Sequence, residues 1–406
     1  MDGGTDSAWR RLNAALFKLE QVLSSIDHIA SANFPHGDAE IAIQKIRAYF
    51  EDKRKSIRSI PRSEGVAVDD LQEYLRETRD EVRKYTKYLG IILRSTNVRN
   101  SFEVYHPLKR LSQRAVADDT RLIISSEWEF TPFTYPMNVS TLPNFIIVGT
   151  PATESQNLLV MPLAGHEIGH SVWKSLEDRA TLEASLRSKC EEYVKSNKEK
   201  FSTASSQKIE VVIIPAISIP LLAKAEEVFC DIVGLHIFGT SYFYAFEYFL
   251  APGVNYSTRE YPPSIQRLRV LIKYAKRYNI EIPDDILDSW NQEEETTSDT
   301  PNYYEFADLI LNCCLVEIFD ACEKTLINRD ITKPDNEVVS EIEAAFRRGE
   351  PYGTKAKLSE VINALWRVAK QRNITTKKGV EATFIDIEIA LKTIEISEYY
   401  SRLEEN

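Results

Sequence analysis

The segment LAGHEIGHSV, Leu163 to Val172, carries two histidines four residues apart, with a glutamate directly after the first. On a helix, His166 and His170 lie on one face, so both imidazoles can point at one metal ion. A neutral imidazole nitrogen suits zinc. Glu167 neighbours the first histidine, so its carboxylate can reach a water on that metal without binding the metal itself. This is the arrangement of zinc hydrolysis: the metal supplies Lewis acidity and lowers the pKa of the water, and the carboxylate takes the proton. A surface helix with two solvated histidines would have the same spacing. The flanks argue against it, because LLVMPLA, Leu158 to Ala164, is strongly apolar and Ile168 sits between the histidines. Buried imidazoles and carboxylates need a partner, and a metal ion is one. Gly165 and Gly169 weaken a helix and imply that another backbone comes close to it.

A catalytic zinc commonly has three protein ligands and one open position. The extended form HExxHxxGxxH is excluded, since Trp173 stands where its glycine would be and Leu176 where its third histidine would be. The third ligand must come from elsewhere. The segment AKAEEVFCDIVGLHIFG, Ala223 to Gly239, places Glu227 and Asp231 four apart, on one helix face. Glu226 is a rival to Glu227, but its own i+4 neighbour is Cys230. Asp231 stands inside an apolar run and needs a reason to be there. Cys230 is a soft ligand in principle, although a buried structural thiol is the plainer reading. His236 lies nearly opposite Glu227 on such a helix, which suits a core or pocket histidine.

These two segments together resemble the gluzincins, the thermolysin-like group of zinc metallopeptidases, in which a downstream helix carries ExxxD. The resemblance implies Glu227 as third zinc ligand and Asp231 as the carboxylate that orients a ligand histidine. A fixed N–H on the far side of a ligand imidazole is a sensible requirement. A weaker resemblance concerns YPPSIQRL, Tyr261 to Leu268. Zincins of the CAAX-prenyl-protease type carry an HPxxxxR-like segment at this place. Here Tyr261 replaces the histidine, while Pro262 and Arg267 are kept. A phenol can donate a hydrogen bond to a developing oxyanion as a histidine can, which would make Tyr261 catalytic. Arg267 is expected to tie its loop to a carboxylate. The plainer reading is a proline-rich loop that starts a helix. The resemblance covers roughly Arg121 to Tyr278.

The elements that must position these residues follow from periodicity. Trp9, Leu12, Leu16, Leu19, Leu23 and Ile26 alternate in steps of three and four, which predicts a helix. Pro35 and Gly37 break it, and a second helix is expected from about Asp38 to Arg58. A third shows Leu71, Leu75, Val82, Tyr85, Leu89 and Ile92 on one face. After about Asp119, Arg121 to Phe130, Phe145 to Gly149 and Lys208 to Ile214 read as strands. Phe145 to Gly149 lies upstream of the HEIGH segment, where an edge strand would capture an extended peptide. Helices are expected over Leu158 to Ser175, Arg179 to Ser202, Ala223 to Phe238, Ser241 to Leu250 and Pro263 to Tyr278. Asn291 to Pro301 is acidic and polar and reads as a linker. Further helices are expected at about Tyr303 to Asn328, Val338 to Arg348, Ala356 to Gln371 and Phe384 to Arg402.

The fold expected is mainly α (α+β), with a zincin-like core and a small sheet. The expected division is a helical region over 1–118, the core over 119–290 and a helical region over 301–406. Among 406 residues, 50 Lys+Arg against 61 Asp+Glu give a net charge of −11, which repels phosphate backbones, so no nucleic-acid partner is expected. Val211 to Ala223 is apolar but too short to span a bilayer, and Pro215 and Pro220 interrupt it. Val228 to Ala251 contains Asp231, His236 and Glu247, so both stretches read as buried core and no transmembrane segment is expected. Met1 to Arg11 has no apolar run, and the five cysteines form no CxxC pair, which fits a reducing cytoplasm. The expected function is a soluble zinc-dependent peptidase acting on a protein or peptide, with His166, His170 and Glu227 on Zn²⁺ and Glu167 as general base. The alternatives are a zinc-stabilised scaffold or interaction protein, and a hydrolase of a non-peptide amide. The oligomeric state cannot be read from the sequence.

Overall fold

A computed structural model describes residues 3–60, 68–96, 102–127, 141–201, 208–251, 256–290, 302–372 and 376–405. The side chains of Trp9 and Leu71, residues 128–130 and the acidic stretch Asn291 to Pro301 lie outside the described residues. The described fold is mainly helical, with one two-stranded sheet. The chain divides into two compact units, Met1–Phe102 with Arg121–Gln156, and Glu103–Thr120 with Asn157–Asn406.

The first unit holds α1 (Gly3–Ala30), α2 (Gly37–Arg58) and α3 (Val68–Arg94). Leu19, Leu23 and Ile26 of α1 and Tyr85, Leu89 and Ile92 of α3 are buried in one core, as their helical spacing requires. The unit also holds β1 (Arg121–Glu127) and β2 (Phe145–Pro151), paired in parallel with Arg121 opposite Phe145 and Glu127 opposite Pro151. Asp38 at the start of α2 accepts from the Leu122 backbone N–H at 3.0 Å and pairs with Arg121 at 3.1 Å. β1 is thereby tied to α2. The strands pack with the N-terminal helices of this unit, and the HEIGH segment belongs to the other one.

The second unit holds α4 (Tyr105–Ala115), α5 (Ala164–Lys174), α6 (Arg179–Ser196), α7 (Ile214–Phe238), α8 (Thr240–Leu250), α9 (Ser264–Tyr278) and α10 (Asp284–Trp290). It continues with α11 (Tyr303–Cys313), α12 (Leu315–Asn328), α13 (Asn336–Arg347), α14 (Leu358–Ala369) and α15 (Lys377–Glu405). The helix expected from Leu158 begins as a tighter 3₁₀ stretch, Leu158–Leu163, and becomes α-helical at Ala164. Pro162 explains the change, because it has no N–H for an α-helical ladder. Asn157 caps the start, accepting from the Leu159 N–H at 3.1 Å.

The strand expected at Lys208 to Ile214 is wrong. Ile209–Ile213 forms a π-helical turn that runs straight into α7. Burial gives the physical reason. A strand would put Ile209, Val211 and Ile213 on one face, yet Ile209 and Ile213 are buried while Val211 is 67 % exposed. A four-residue period is helical, and packing has overridden the β-branched composition. α7 therefore starts well before Ala223, with Pro215 in its first turn, where the missing N–H costs little.

α7 is the axis of the second unit. Every residue from Glu227 to Phe238 is buried, so its polar side chains must find partners inside the protein. Lys224, fully buried one turn before Glu227, bonds the Ser257 hydroxyl at 2.5 Å, the Tyr304 carbonyl at 2.9 Å and the Asp308 carboxylate at 2.6 Å. These bonds pin α7 to α11. Among the described residues no helix is long and apolar enough to cross a membrane.

Candidate metal centre

α5 and α7 cross at their glycines. A Cβ on Gly169 would lie 2.7 Å from the Cys230 Cα, and one on Gly165 would lie 2.8 Å from the Gly234 Cα. No side chain fits in either gap, so the two backbones touch. The expectation of a close backbone beside these glycines thus has a named partner, α7. The crossing brings His166, Glu167 and His170 of α5 against Glu226, Glu227, Cys230 and Asp231 of α7.

Each histidine is held from behind by a carboxylate. His166 Nδ1 lies 2.9 Å from Asp231 Oδ1, and His170 Nδ1 lies 2.9 Å from Glu226 Oε1. An ionised carboxylate only accepts, so both Nδ1 atoms carry the proton and donate. In the neutral rings both Nε2 atoms are then lone pairs. They face the same group. His166 Nε2 lies 3.2 Å from Glu227 Oε2, and His170 Nε2 lies 3.7 Å from Glu227 Oε1. His170 Nε2 and Glu227 Oε2 are buried and make no hydrogen bond. Acceptors facing acceptors in a buried place are a costly arrangement, and a positive charge among them, a metal ion or a proton on His166, removes the cost.

A second grouping overlaps the first. One ligand atom from each of His166, His170 and Cys230 lies within 4.8 Å of the others, and all three residues are buried. This group can hold a metal ion. Burial and the nearby Glu227 and Glu226 push the Cys230 thiol well above its usual range.

Asp231 is the hub of the surrounding network. Arg267 of α9 grips it with two nitrogens, Nε to Oδ2 at 2.8 Å and Nη2 to Oδ1 at 2.8 Å. The Tyr242 hydroxyl donates to Oδ1 at 2.8 Å. Gly234 makes room for that tyrosine, since a Cβ there would sit 2.3 Å from the ring. Burial would raise the Asp231 pKa, but Arg267 and His166 hold it below the usual carboxylate range. Arg267 was expected to meet a carboxylate, and the carboxylate is Asp231.

The field of the site favours positive charge. Burial alone would lower the His166 pKa, yet Asp231 and Glu227 bring it up to about 10. Glu227 is pulled below its ordinary value by His166 and His170 against the burial that would raise it. Burial pushes Glu167 up to about 8, with His166 opposing and Glu227 adding to the rise. A cation between the histidines would favour the ionised form of Glu167.

Tyr261 ends a turn in which the Thr258 N–H donates to the Tyr261 carbonyl at 3.0 Å and the Tyr261 N–H donates to the Thr258 hydroxyl at 2.9 Å. The Arg267 guanidinium sits 5.4 Å from its ring centroid and 5.3 Å from that of Phe246. Desolvation first, and then Glu227, raise the Tyr261 pKa, so the phenol stays protonated at neutral pH. Glu227 of the centre thus acts on it electrostatically, and Arg267 lies against its ring while gripping Asp231.

His236 stands apart from the centre. Its Nε2 lies 3.3 Å from the Ile331 carbonyl and its Nδ1 2.9 Å from the Tyr274 hydroxyl. A carbonyl only accepts, so Nε2 donates and Nδ1 accepts from the phenol. Two partners escaped the sequence reading. By spacing alone Glu226 is only a rival ligand, although a second histidine needs its own orienting carboxylate, and the Glu-Glu pair at the start of the buried stretch is the available sign. Tyr242 lies in an aromatic run and carries no local signal. The chain matches no protein-family model, no curated protein and no solved structure.

Proposed function

We propose that the chain is a zinc-dependent peptidase, with His166, His170 and Glu227 as metal donors and Glu167 as general base. One observation carries this reading: two imidazole Nε2 atoms and an unbonded carboxylate oxygen converge in a buried place while both Nδ1 atoms are occupied. Two neutral imidazoles and a carboxylate form a donor set suited to zinc, and they leave a coordination position open. Zinc held there would supply Lewis acidity to a carbonyl and acidify a water.

The side chains then divide the work. Asp231 and Glu226 hold the imidazoles in the tautomer that presents Nε2. Glu167 takes the proton of the attacking water and returns it to the leaving amine. Tyr261, kept protonated by its raised pKa, donates to the oxygen that gains negative charge. Arg267 keeps Asp231 ionised and braces the Tyr261 ring. The resemblance of HEIGH and the downstream Glu227–Asp231 pair to the gluzincins supports the same reading. The proximity of Cys230 favours a second donor set, His166, His170 and Cys230, on the same metal.

Glu167→Gln tests the proposal. Cleavage of a mixed peptide library should be lost while zinc stays near one per chain by elemental analysis. Equal cleavage by wild type and Glu167→Gln would sink the mechanism. Glu227→Gln and Cys230→Ser separate the donor sets, since only loss of the true third donor should lower zinc stoichiometry.

A further inference from the structure

The second unit contains a cavity of about 680 Å³ at the C-terminal end of α7, far along the helix from Glu227. Its walls come from α4, the end of α7, the Ile331–Thr332 segment, the start of α14 and α15. The volume falls in the range of small-molecule sites. The lining is of two kinds. Leu111, Ile237, Phe238, Leu358, Val361 and Ile394 provide an apolar body. Four cations, Arg110, Arg114, Lys355 and Lys357, share the rest with three carboxylates, Glu360, Glu398 and Glu404.

Each carboxylate is already satisfied by the protein. Arg110 holds Glu398 with two guanidinium nitrogens. Lys355 pairs with Glu404. Glu360 accepts from the Lys357 backbone N–H at 2.7 Å and the Asp335 backbone N–H at 3.3 Å, with the Lys357 ammonium at 3.5 Å. Arg114 is left over, and it has no carboxylate partner among the described residues. A chain with net charge −11 thus lines a partly apolar cavity with one surplus cation. That surplus is a specific attraction for a negative group, set against the chain's general repulsion of anions.

We propose that this cavity is a binding site for a small amphiphile with an apolar body and one anionic head, of the fatty-carboxylate class, with Arg114 as the head-group partner. The position of the site matters for the rest of the molecule. Phe238 lines the cavity, and its ring would lie 3.0 Å from a Cβ on Gly165, the residue before His166. A ligand in the cavity therefore touches a side chain that touches α5.

The test uses the full chain and dodecanoate below its micellar concentration, with dodecanol as the neutral control, read by equilibrium dialysis and thermal shift. One saturable dodecanoate per chain is expected, with dodecanol at least about tenfold weaker, the worth of one charge pair. Arg114→Glu should weaken dodecanoate by about tenfold and leave dodecanol unchanged. Ile394→Trp, which fills the apolar part, should abolish both. If Ile394→Trp does not fold, the exposed Arg114→Glu still decides. The proposal is overturned by an absence of saturable binding at about 1 mM, by equal binding of dodecanol, or by Arg114→Glu binding as wild type.

Discussion

The Gly169 Cα stands so close to Cys230 that a Cβ would come within 2.7 Å of the Cys230 Cα. This contact and the one at Gly165 set the depth at which the two histidines of the candidate metal centre meet the carboxylates of α7. Gly169→Ala must therefore push the helices apart. Overpacking of this kind costs about 1–3 kcal/mol. The variant should melt earlier and bind zinc more weakly than wild type. Unchanged melting and unchanged zinc affinity together would show that the helices are free to adjust.

Glu226 and Asp231 should both matter for metal affinity, but only one of them for the fold. Glu226→Gln removes the carboxylate behind His170 and should weaken zinc binding by about 10–100-fold with little change in stability. Asp231→Asn also strips the charge partner of buried Arg267, at a cost of about 3–5 kcal/mol. Zinc titration and urea melts on both variants read the two effects separately. Equal destabilisation by both would contradict the assignment of Asp231 as the hub.

His236 should make the protein acid-sensitive in a defined window. Burial, with some help from Lys333 and against the Ile331 carbonyl, depresses its pKa from 6.5 to about 4. As pH falls, the unfolded chain takes the proton first. Stability is thus complete above about 6.5, declines as pH falls toward about 4 and then levels off, with a loss of about 3 kcal/mol from this group. His236→Phe should show a flatter stability profile between these values in urea melts. An equally steep decline in the variant would assign the sensitivity to other groups.

Lys224 is the plainest case of a buried charge that depends on its partner. Lys224→Met leaves Asp308 uncompensated and should cost about 3–5 kcal/mol. Lys224→Met with Asp308→Leu removes both charges and should recover much of the loss. A double variant no more stable than the single one would mean that the bonds to Ser257 and Tyr304, rather than the ion pair, hold α7 to α11.

Local periodicity made most helices legible. Leu19, Leu23 and Ile26 fall inside because a 3.6-residue repeat puts them on one face, and no distant residue is needed to decide that. Lys208 to Ile214 was misread for the complementary reason. Its β-branched residues suit either element, and the choice was made by which of them α7 and its neighbours could bury.

The spacing of His166, Glu167 and His170 follows from local geometry, so the sequence alone determined that two imidazoles share a face and that a glutamate stands beside them. The same holds for Glu227 and Asp231. Four residues make one turn wherever the helix lies. Which carboxylate serves which histidine was decided only by the packing of α5 on α7. Glu226 and Glu227 are neighbours in sequence, yet one backs His170 and the other faces both Nε2 atoms, because successive residues on a helix point about 100° apart and only the crossing chooses the direction. Arg267 and Tyr242 reached Asp231 by the same route. Their contacts join separate elements whose packing angle no local pattern encodes, Tyr242 from the next helix and Arg267 from the one after it.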